Sequence, residues 1–333
     1  MLNGGMASDF HSSVVFVRHK EAKMKAARIH KFGPPNVIVI EELPRPAPGP
    51  GEVLVRVAAA GVGPWDAWIR RHTSVVKVSL PLTLGSDLSG VIEEIGPGVS
   101  GFKAGDEVYG VTNPDFCGAY AEYALASAAM VARKPQGLSH VEAASVPVVA
   151  VTAWQMLFDY AQAKAGQTVL IHGGAGNVGS YAVQLASQAQ LHVTATAASN
   201  DIEYVRSLGA ARVLDYKATK FEKEVSGLDI VLDTVGGDTL ERSIQVVKSG
   251  GILVSVVSPF HDASKASGIR TVFFLVEVTT TRLNAITELF NRSKLSTQVG
   301  TVLPLEQAQT AHEMLGGAPH KRGKIVLTLE APA

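Results

Sequence analysis

Three glycines, Gly174, Gly176 and Gly179, stand in the spacing G-x-G-x-x-G. Just before them, Thr168 to Ile171 is a short apolar, β-branched run that reads as a buried parallel strand, and His172 and Gly173 end it. Just after them, Val178, Ala182, Leu185, Ala186 and Ala189 fall on one face of a helix. Strand, glycine turn and helix form the setting in which this spacing binds a dinucleotide. Gly174 is expected to permit the tight turn, and Gly176, without a Cβ, to admit a pyrophosphate to the backbone. Gly179 is expected to let helix and strand pack closely. The helix start adds free N–H groups and a positive dipole end, and Ala175, Asn177 and Val178 complete this phosphate-facing loop.

The next strand, His192 to Ala197, should end beside the adenosine ribose. NAD sites usually place Asp or Glu there to hold both ribose hydroxyls. This strand ends in Ala198, Ser199 and Asn200. A small neutral end leaves room for a 2′-phosphate, to which Ser199 can donate, and the expected cofactor is NADPH. Two alternatives stay open: Asp201 swung to the ribose favours NAD, and Asn200 with Glu203 can serve only as a helix cap.

Around this turn the chain alternates. Candidate strands are 168–172, 192–197, 211–215, 229–234, 251–257 and 271–277, with helices at 178–189, 201–208 and 238–248. Such alternation makes an α/β fold, a doubly wound parallel sheet covered on both faces. The first third differs. Met24 to Glu42 suggests a hairpin around Gly33-Pro34-Pro35, Pro44 to Gly51 is a stiff connector, and Val53, Val55 and Val57 alternate as a half-buried strand. A short segment from Trp65 to Arg71 and strands near Val91–Ile95 and Glu107–Tyr109 follow. Ser139 with Glu142 forms a capping box. After Thr281 a helix runs to about Asn291, then a helix near Leu305–Leu315 and a strand Lys324–Leu329, a tail expected to return to the first domain.

The 333 residues suit about two domains. Thirty basic and thirty acidic side chains cancel, which gives no global field for nucleic acid or an anionic membrane. Cys117 is the only cysteine, which excludes an internal disulfide and a multi-cysteine zinc site and suits the cytoplasm. The apolar run Ala143–Phe158 contains Pro147 and Gln155 and reads as buried core, not a membrane span. Residues 1–23 have no signal-peptide pattern and read as a loose extension.

With these pieces placed, the chain resembles the medium-chain dehydrogenase/reductases, in their zinc-free, zeta-crystallin-like quinone oxidoreductase branch. The likeness lies in PGPGEVLVRV (Pro48–Val57), LGSDLSGVI (Leu84–Ile92), GDEVYG (Gly105–Gly110), GAYAEY (Gly118–Tyr123), TAW (Thr152–Trp154), the glycine turn and RGKIVL (Arg322–Leu327). It implies a β-rich GroES-like catalytic domain, residues 24–145 completed by 285–333, and a Rossmann-type cofactor domain, residues 146–284. It also implies cofactor contacts from Thr152, Tyr216, Lys217, Thr234, Val235, Val256, Ser258, Phe274 and Lys324, and a homodimer joined near Thr271–Glu277.

Zinc-using members place Cys where this chain has Gly63 and Gly-His-Glu where it has Gly85-Ser86-Asp87. Without thiolate or imidazole a tetrahedral Lewis-acid site cannot be assembled, and no zinc is expected. Polarising an ordinary ketone is then hard, whereas quinones and conjugated enones accept hydride or electrons with less help. The expected function is therefore NADPH-dependent reduction of a small quinone or enone. An enoyl-thioester reductase, with Arg70, Arg71 and His72 at the channel mouth, and a non-enzymatic NADPH-binding protein are the alternatives. The acceptor-cleft candidates are Gly63, Trp65, Asp66 and Trp68, although both tryptophans can equally be core filling. Family members commonly carry Asn at the Gly63 position, and no general acid stands out.

Overall fold

The computed structural model describes residues 23–260 and 268–329. The expected extension, residues 1–23, lies almost wholly outside the described residues, and Lys23 already opens the first strand.

The glycine turn sits in a six-stranded, all-parallel sheet. Its strands are β9 (Thr168–Ile171), β10 (His192–Ala197), β11 (Arg212–Asp215), β12 (Leu228–Asp233), β13 (Val247–Ser255) and β14 (Arg270–Phe273), in the order β11-β10-β9-β12-β13-β14. The apolar runs have the two-sided burial a parallel sheet needs. Val169 and Ile171 enter one hydrophobic cluster and Leu170 another, and Ile230 and Leu232 part from Val231 in the same way. Helices α4 (Asn177–Gln188), α5 (Ile202–Ser207) and α6 (Gly237–Ser243) alternate with the strands.

Three expected bounds shift here. The third helix stops at Ser243, and β13 starts at Val247 rather than at 251. The early part, Lys248 to Gly250, is exposed, so the hydrophobic pattern hides it. Strand β14 ends at Phe273 because Phe274 turns inward onto the Tyr160 ring, 4.3 Å between centroids.

The rest of the chain is β-rich. Strands β1 (Lys23–Ile29) and β2 (Ile38–Pro44) form the antiparallel hairpin, and β4 (Leu82–Thr83) flanks β1. A second sheet holds β3 (Glu52–Val62), β5 (Asp87–Ile95), β6 (Glu107–Val111), β7 (Tyr123–Ser127) and β8 (Val131–Arg133). The tail joins it: β16 (Lys324–Thr328) pairs antiparallel with β3, and β15 (Val299–Pro304) lies beside β16.

The half-buried reading of the strand around Val55 does not hold. Val53, Leu54 and Val55 are all fully buried, because β3 is an interior strand paired by β5, β7 and β16. Short helix α1 (Pro64–Arg70) follows β3, and α2 (His140–Ala144) begins at the expected Ser139–Glu142 capping box. Helix α3 (Pro147–Trp154) runs into one π-helical stretch, Gln155–Tyr160, and buries Val148 to Ala153 with Met156 and Leu157, as the apolar run implied. Helix α7 (Thr280–Asn291) crosses residue 284 unbroken, and the Tyr109 hydroxyl donates to the Leu283 carbonyl at 2.8 Å. Helix α8 (Ala308–Leu315) precedes β16. No described helix is long and apolar enough to cross a membrane.

Candidate active site

Each glycine of the turn does a distinct job, and one assignment changes. The residue with left-handed backbone is Gly173, φ +72°, so Gly173 rather than Gly174 makes the tight turn. A Cβ on Gly174 would meet Ala195 Cβ at 3.0 Å and Val205 Cγ1 at 3.1 Å, so this glycine is needed for close packing. A Cβ on Gly179 would lie 2.1 Å from the Gly173 carbonyl oxygen, which allows helix α4 to approach the turn. Gly176 differs from both. Its Cβ would meet only the Gly173 carbonyl oxygen, at 3.2 Å, and otherwise faces a cavity.

That cavity has a volume of about 550 Å³ and lies along the carboxyl ends of β9, β10 and β12. Ala175, Gly176, Ala198, Tyr216, Thr234 and Val235, all expected cofactor contacts, line it. Helix α4 starts at its edge with no side-chain cap, so its first N–H groups remain available to an anion.

The wall also contains residues that no spacing rule marked: His172, Thr196, Phe221, Thr239 and Arg242. His172 Nε2 donates to Ser243 Oγ at 3.0 Å, because that hydroxyl already donates to the Thr239 carbonyl. Its Nδ1 then accepts from Thr196 Oγ1 at 3.3 Å, and the Thr196 oxygen accepts from Gly173 N–H at 3.1 Å. This chain of bonds pins the phosphate turn. Burial holds the His172 imidazole down to about 4, so at neutral pH it is a neutral strut and not a proton donor.

At the rim, Ser199 Oγ donates to Asp215 Oδ2 at 2.5 Å, and the Lys217 backbone N–H bonds the other oxygen at 2.9 Å. The Ser199 bond is the main cause that holds the Asp215 carboxyl below its usual range. Tyr216 is exposed at 58%, and the Lys217 ammonium lies 5.9 Å from its ring centroid. Asp201 lines the cavity, but its carboxylate is paired with Arg322 from the tail.

The remaining expected contacts lie away from this wall. Asn177 and Val178 open helix α4, Thr152 Oγ1 donates to the Val148 carbonyl at 2.7 Å, and Phe274 is buried on Tyr160. Val256 and Ser258 follow the end of β13, with Val256 N–H donating to the Asp233 carbonyl at 3.3 Å. Lys324 is almost fully buried, with its ammonium 2.9 Å from Asp87 Oδ2 and 4.2 Å from the Trp65 ring centroid.

Three of the acceptor-side candidates, Gly63, Trp65 and Asp66, lie against one another. A side chain on Gly63 would collide with the Trp65 indole, 2.3 Å from Cζ2, so the indole fills the volume that an Asn would occupy. Trp65 Nε1 donates to Ser86 Oγ at 2.9 Å. Asp66 is fully buried, beneath the surface rather than on it, and accepts from Gly63 N–H at 2.8 Å and Tyr120 Oη at 2.9 Å. Burial raises its carboxyl to about 7, against the opposing Gly63 bond and the Lys324 charge. Trp68 is 47% exposed. Arg70 is fully buried, donating to His312 Nδ1 at 3.0 Å and to the Gly33 carbonyl, so it cannot stand at a channel mouth. Among the described residues no group of three or more His, Cys, Asp or Glu side chains is placed to hold a metal.

Residues 208–327 match the zinc-binding dehydrogenase family, and residues 49–136 match the alcohol dehydrogenase GroES-like domain. The quinone oxidoreductase of Lama guanicoe is 32% identical over 92% of this chain and 98% of its own. The chain belongs to the quinone oxidoreductases of the medium-chain dehydrogenase/reductase superfamily, and it is an oxidoreductase. The solved structure of the quinone oxidoreductase from Coxiella burnetii superposes with a TM-score of 0.86 at 34% identity, over 93% of this chain and all of that one. The CurK enoyl reductase superposes with a TM-score of 0.83 at 25% identity, over 92% of this chain and 99% of that one.

Proposed function

We propose that this protein reduces quinones or conjugated enones with NADPH and without zinc. The observation that carries the reading is the cavity at the glycine turn. Gly176 leaves its backbone open there, α4 offers uncapped N–H groups, and the β10 end is small and neutral. These features fit a dinucleotide: the turn and helix start would hold the pyrophosphate, and Ala198, Ser199, Tyr216 and Lys217 would surround the 2′-phosphate. Both acids at the rim are engaged, Asp215 by Ser199 and Asp201 by Arg322. A bound NADPH supplies the hydride. The protein holds and orients it, and keeps His172 neutral beside the turn.

Zinc independence is supported by what occupies the metal-ligand positions, even though the matching family carries a zinc-binding name. Gly63 has no donor, the Ser86 hydroxyl is bonded by Trp65, and the Asp87 carboxylate is locked to Lys324. An acceptor must therefore be electrophilic enough to take hydride without a Lewis acid. The structural likeness to an enoyl reductase favours enoyl thioesters as the second reading. NADPH oxidation should be measured against quinones, enones and enoyl thioesters side by side, before and after chelation. Turnover of quinones or enones that survives chelation is expected. Loss of activity together with stoichiometric metal would sink the zinc claim, and turnover of enoyl thioesters alone would favour the second reading.

We also propose a cytoplasmic homodimer joined through β14. That strand is the outer edge of the parallel sheet; its last residue, Phe273, is 37% exposed, and Leu275 beyond it is 61% exposed. Light scattering at micromolar concentration should give twice the chain mass; a monomer rejects this arrangement.

A further inference from the structure

The β10–α5 junction beside the dinucleotide cavity is held by a residue from outside the parallel sheet, whose partner Asp201 lines that cavity. Arg322 belongs to the tail and stands two residues before Lys324, the first residue of β16. Its guanidinium pairs with the Asp201 carboxylate, lies 3.4 Å from the Asn200 carbonyl oxygen, and has its carbon 4.7 Å from the centroid of the Tyr204 ring. These contacts with Asn200, Asp201 and Tyr204 fix its place at the β10–α5 junction. Asp201 lines the cavity, whereas the wall residues at that end, Ala197 and Ala198, bring no charge.

We infer that Arg322 decides which dinucleotide this site takes, by neutralising Asp201 and offering its own N–H groups to the 2′-phosphate. The inference deepens the NADPH reading and rests on it. An uncompensated carboxylate at a β-strand end is the arrangement that holds the two ribose hydroxyls of NAD and repels a 2′-phosphate. Arg322 removes that option by occupying the carboxylate. Guanidinium presents five donors in a planar fork, enough to keep Asp201 and still meet a phosphate oxygen. The Tyr204 face and the Asn200 carbonyl orient that fork, so little rotamer freedom is lost on binding. Choice of cofactor thus depends on a side chain supplied by the tail, 122 residues from Asn200, whose carbonyl it meets.

The test uses direct binding, not turnover. Dissociation constants for NADPH and NADH are measured by titration on wild type, Arg322→Ala, Asp201→Asn and the double variant, with melting temperatures without ligand as a control for folding. Arg322→Ala should shift the preference toward NADH by at least about tenfold, because it removes a donor and frees Asp201 together. Asp201→Asn should shift it the other way or hold it, and the double variant should recover part of the loss. If Arg322 only ties the tail to the α5 start, both cofactors weaken by the same factor, the ratio stays fixed, and the inference is overturned. A wild type that prefers NADH breaks the NADPH reading itself, a separate outcome from an unchanged ratio in a wild type that prefers NADPH.

Discussion

Gly176→Val should abolish useful dinucleotide binding while the protein remains folded. The backbone at Gly176 is extended, φ −76° and ψ 168°, which any residue adopts, and its Cβ direction is open apart from the Gly173 carbonyl oxygen at 3.2 Å. Valine therefore needs the Gly173 carbonyl to give by only a few tenths of an ångström, and it would fill the place proposed for the pyrophosphate. Keeping a phosphate off the turn forfeits charge-assisted bonds from backbone N–H groups, each about 1.5–3 kcal/mol. Loss of two such bonds corresponds to at least about a hundredfold weaker binding. Titration of both nicotinamides should show this, with a melting temperature within a few degrees of wild type. The same change at Gly179 should damage folding, since there the Cβ would lie 2.1 Å from a backbone oxygen.

The second large effect concerns stability. Lys324 and Asp87 form an ion pair with side chains 2% and 0% exposed, 2.9 Å apart. Removing the cation with Lys324→Met leaves a buried carboxylate held by the Val148 N–H at 3.1 Å. Such an orphaned charge costs about 3–5 kcal/mol. The pH dependence has a definite sign. Burial already pushes the Asp87 carboxyl up, with Lys324 as the chief opposing influence. A carboxyl raised in the folded state favours folding when protonated, and that contribution is lost as pH rises through the folded value. The variant should therefore be weakest at neutral and alkaline pH and recover in acid. Adding Asp87→Asn keeps an acceptor for Val148 and removes the charge, so the double variant should regain most of the loss. Denaturant unfolding across pH decides this; a loss independent of pH would mean the cost is cavity formation beside Trp65.

Much of this site was legible because its signals are local. The glycine spacing, the apolar runs of β9 and β12 and the Ser139–Glu142 box each depend on neighbours a few residues away, and the fold places them as read. What sequence hid was either conformational or long-range. Spacing alone cannot say which glycine carries positive φ: it points to Gly174 for the turn, whereas Gly173 makes it. His172 and Arg242 join one wall only because β12 and α6 return beside β9. Nothing local marks Gly63 as a vacancy filled by Trp65, or Asp66 as fully buried, since both follow from how α1 docks beneath Tyr120 and Ser86. The alternation at Val53–Val57 suggests one wet face, yet Leu54 is fully buried in a stretch flanked by β5 on one side and β7 on the other.

We propose the cavity at the glycine turn as an NADPH site. Calorimetric titration of the wild-type protein with NADPH and with NADH, under identical salt and pH, tests it most directly. The expected result is one site per chain and a dissociation constant for NADPH lower by at least about tenfold, a difference of about 1.4 kcal/mol. Equal affinities, tighter NADH, or no binding of either would contradict it.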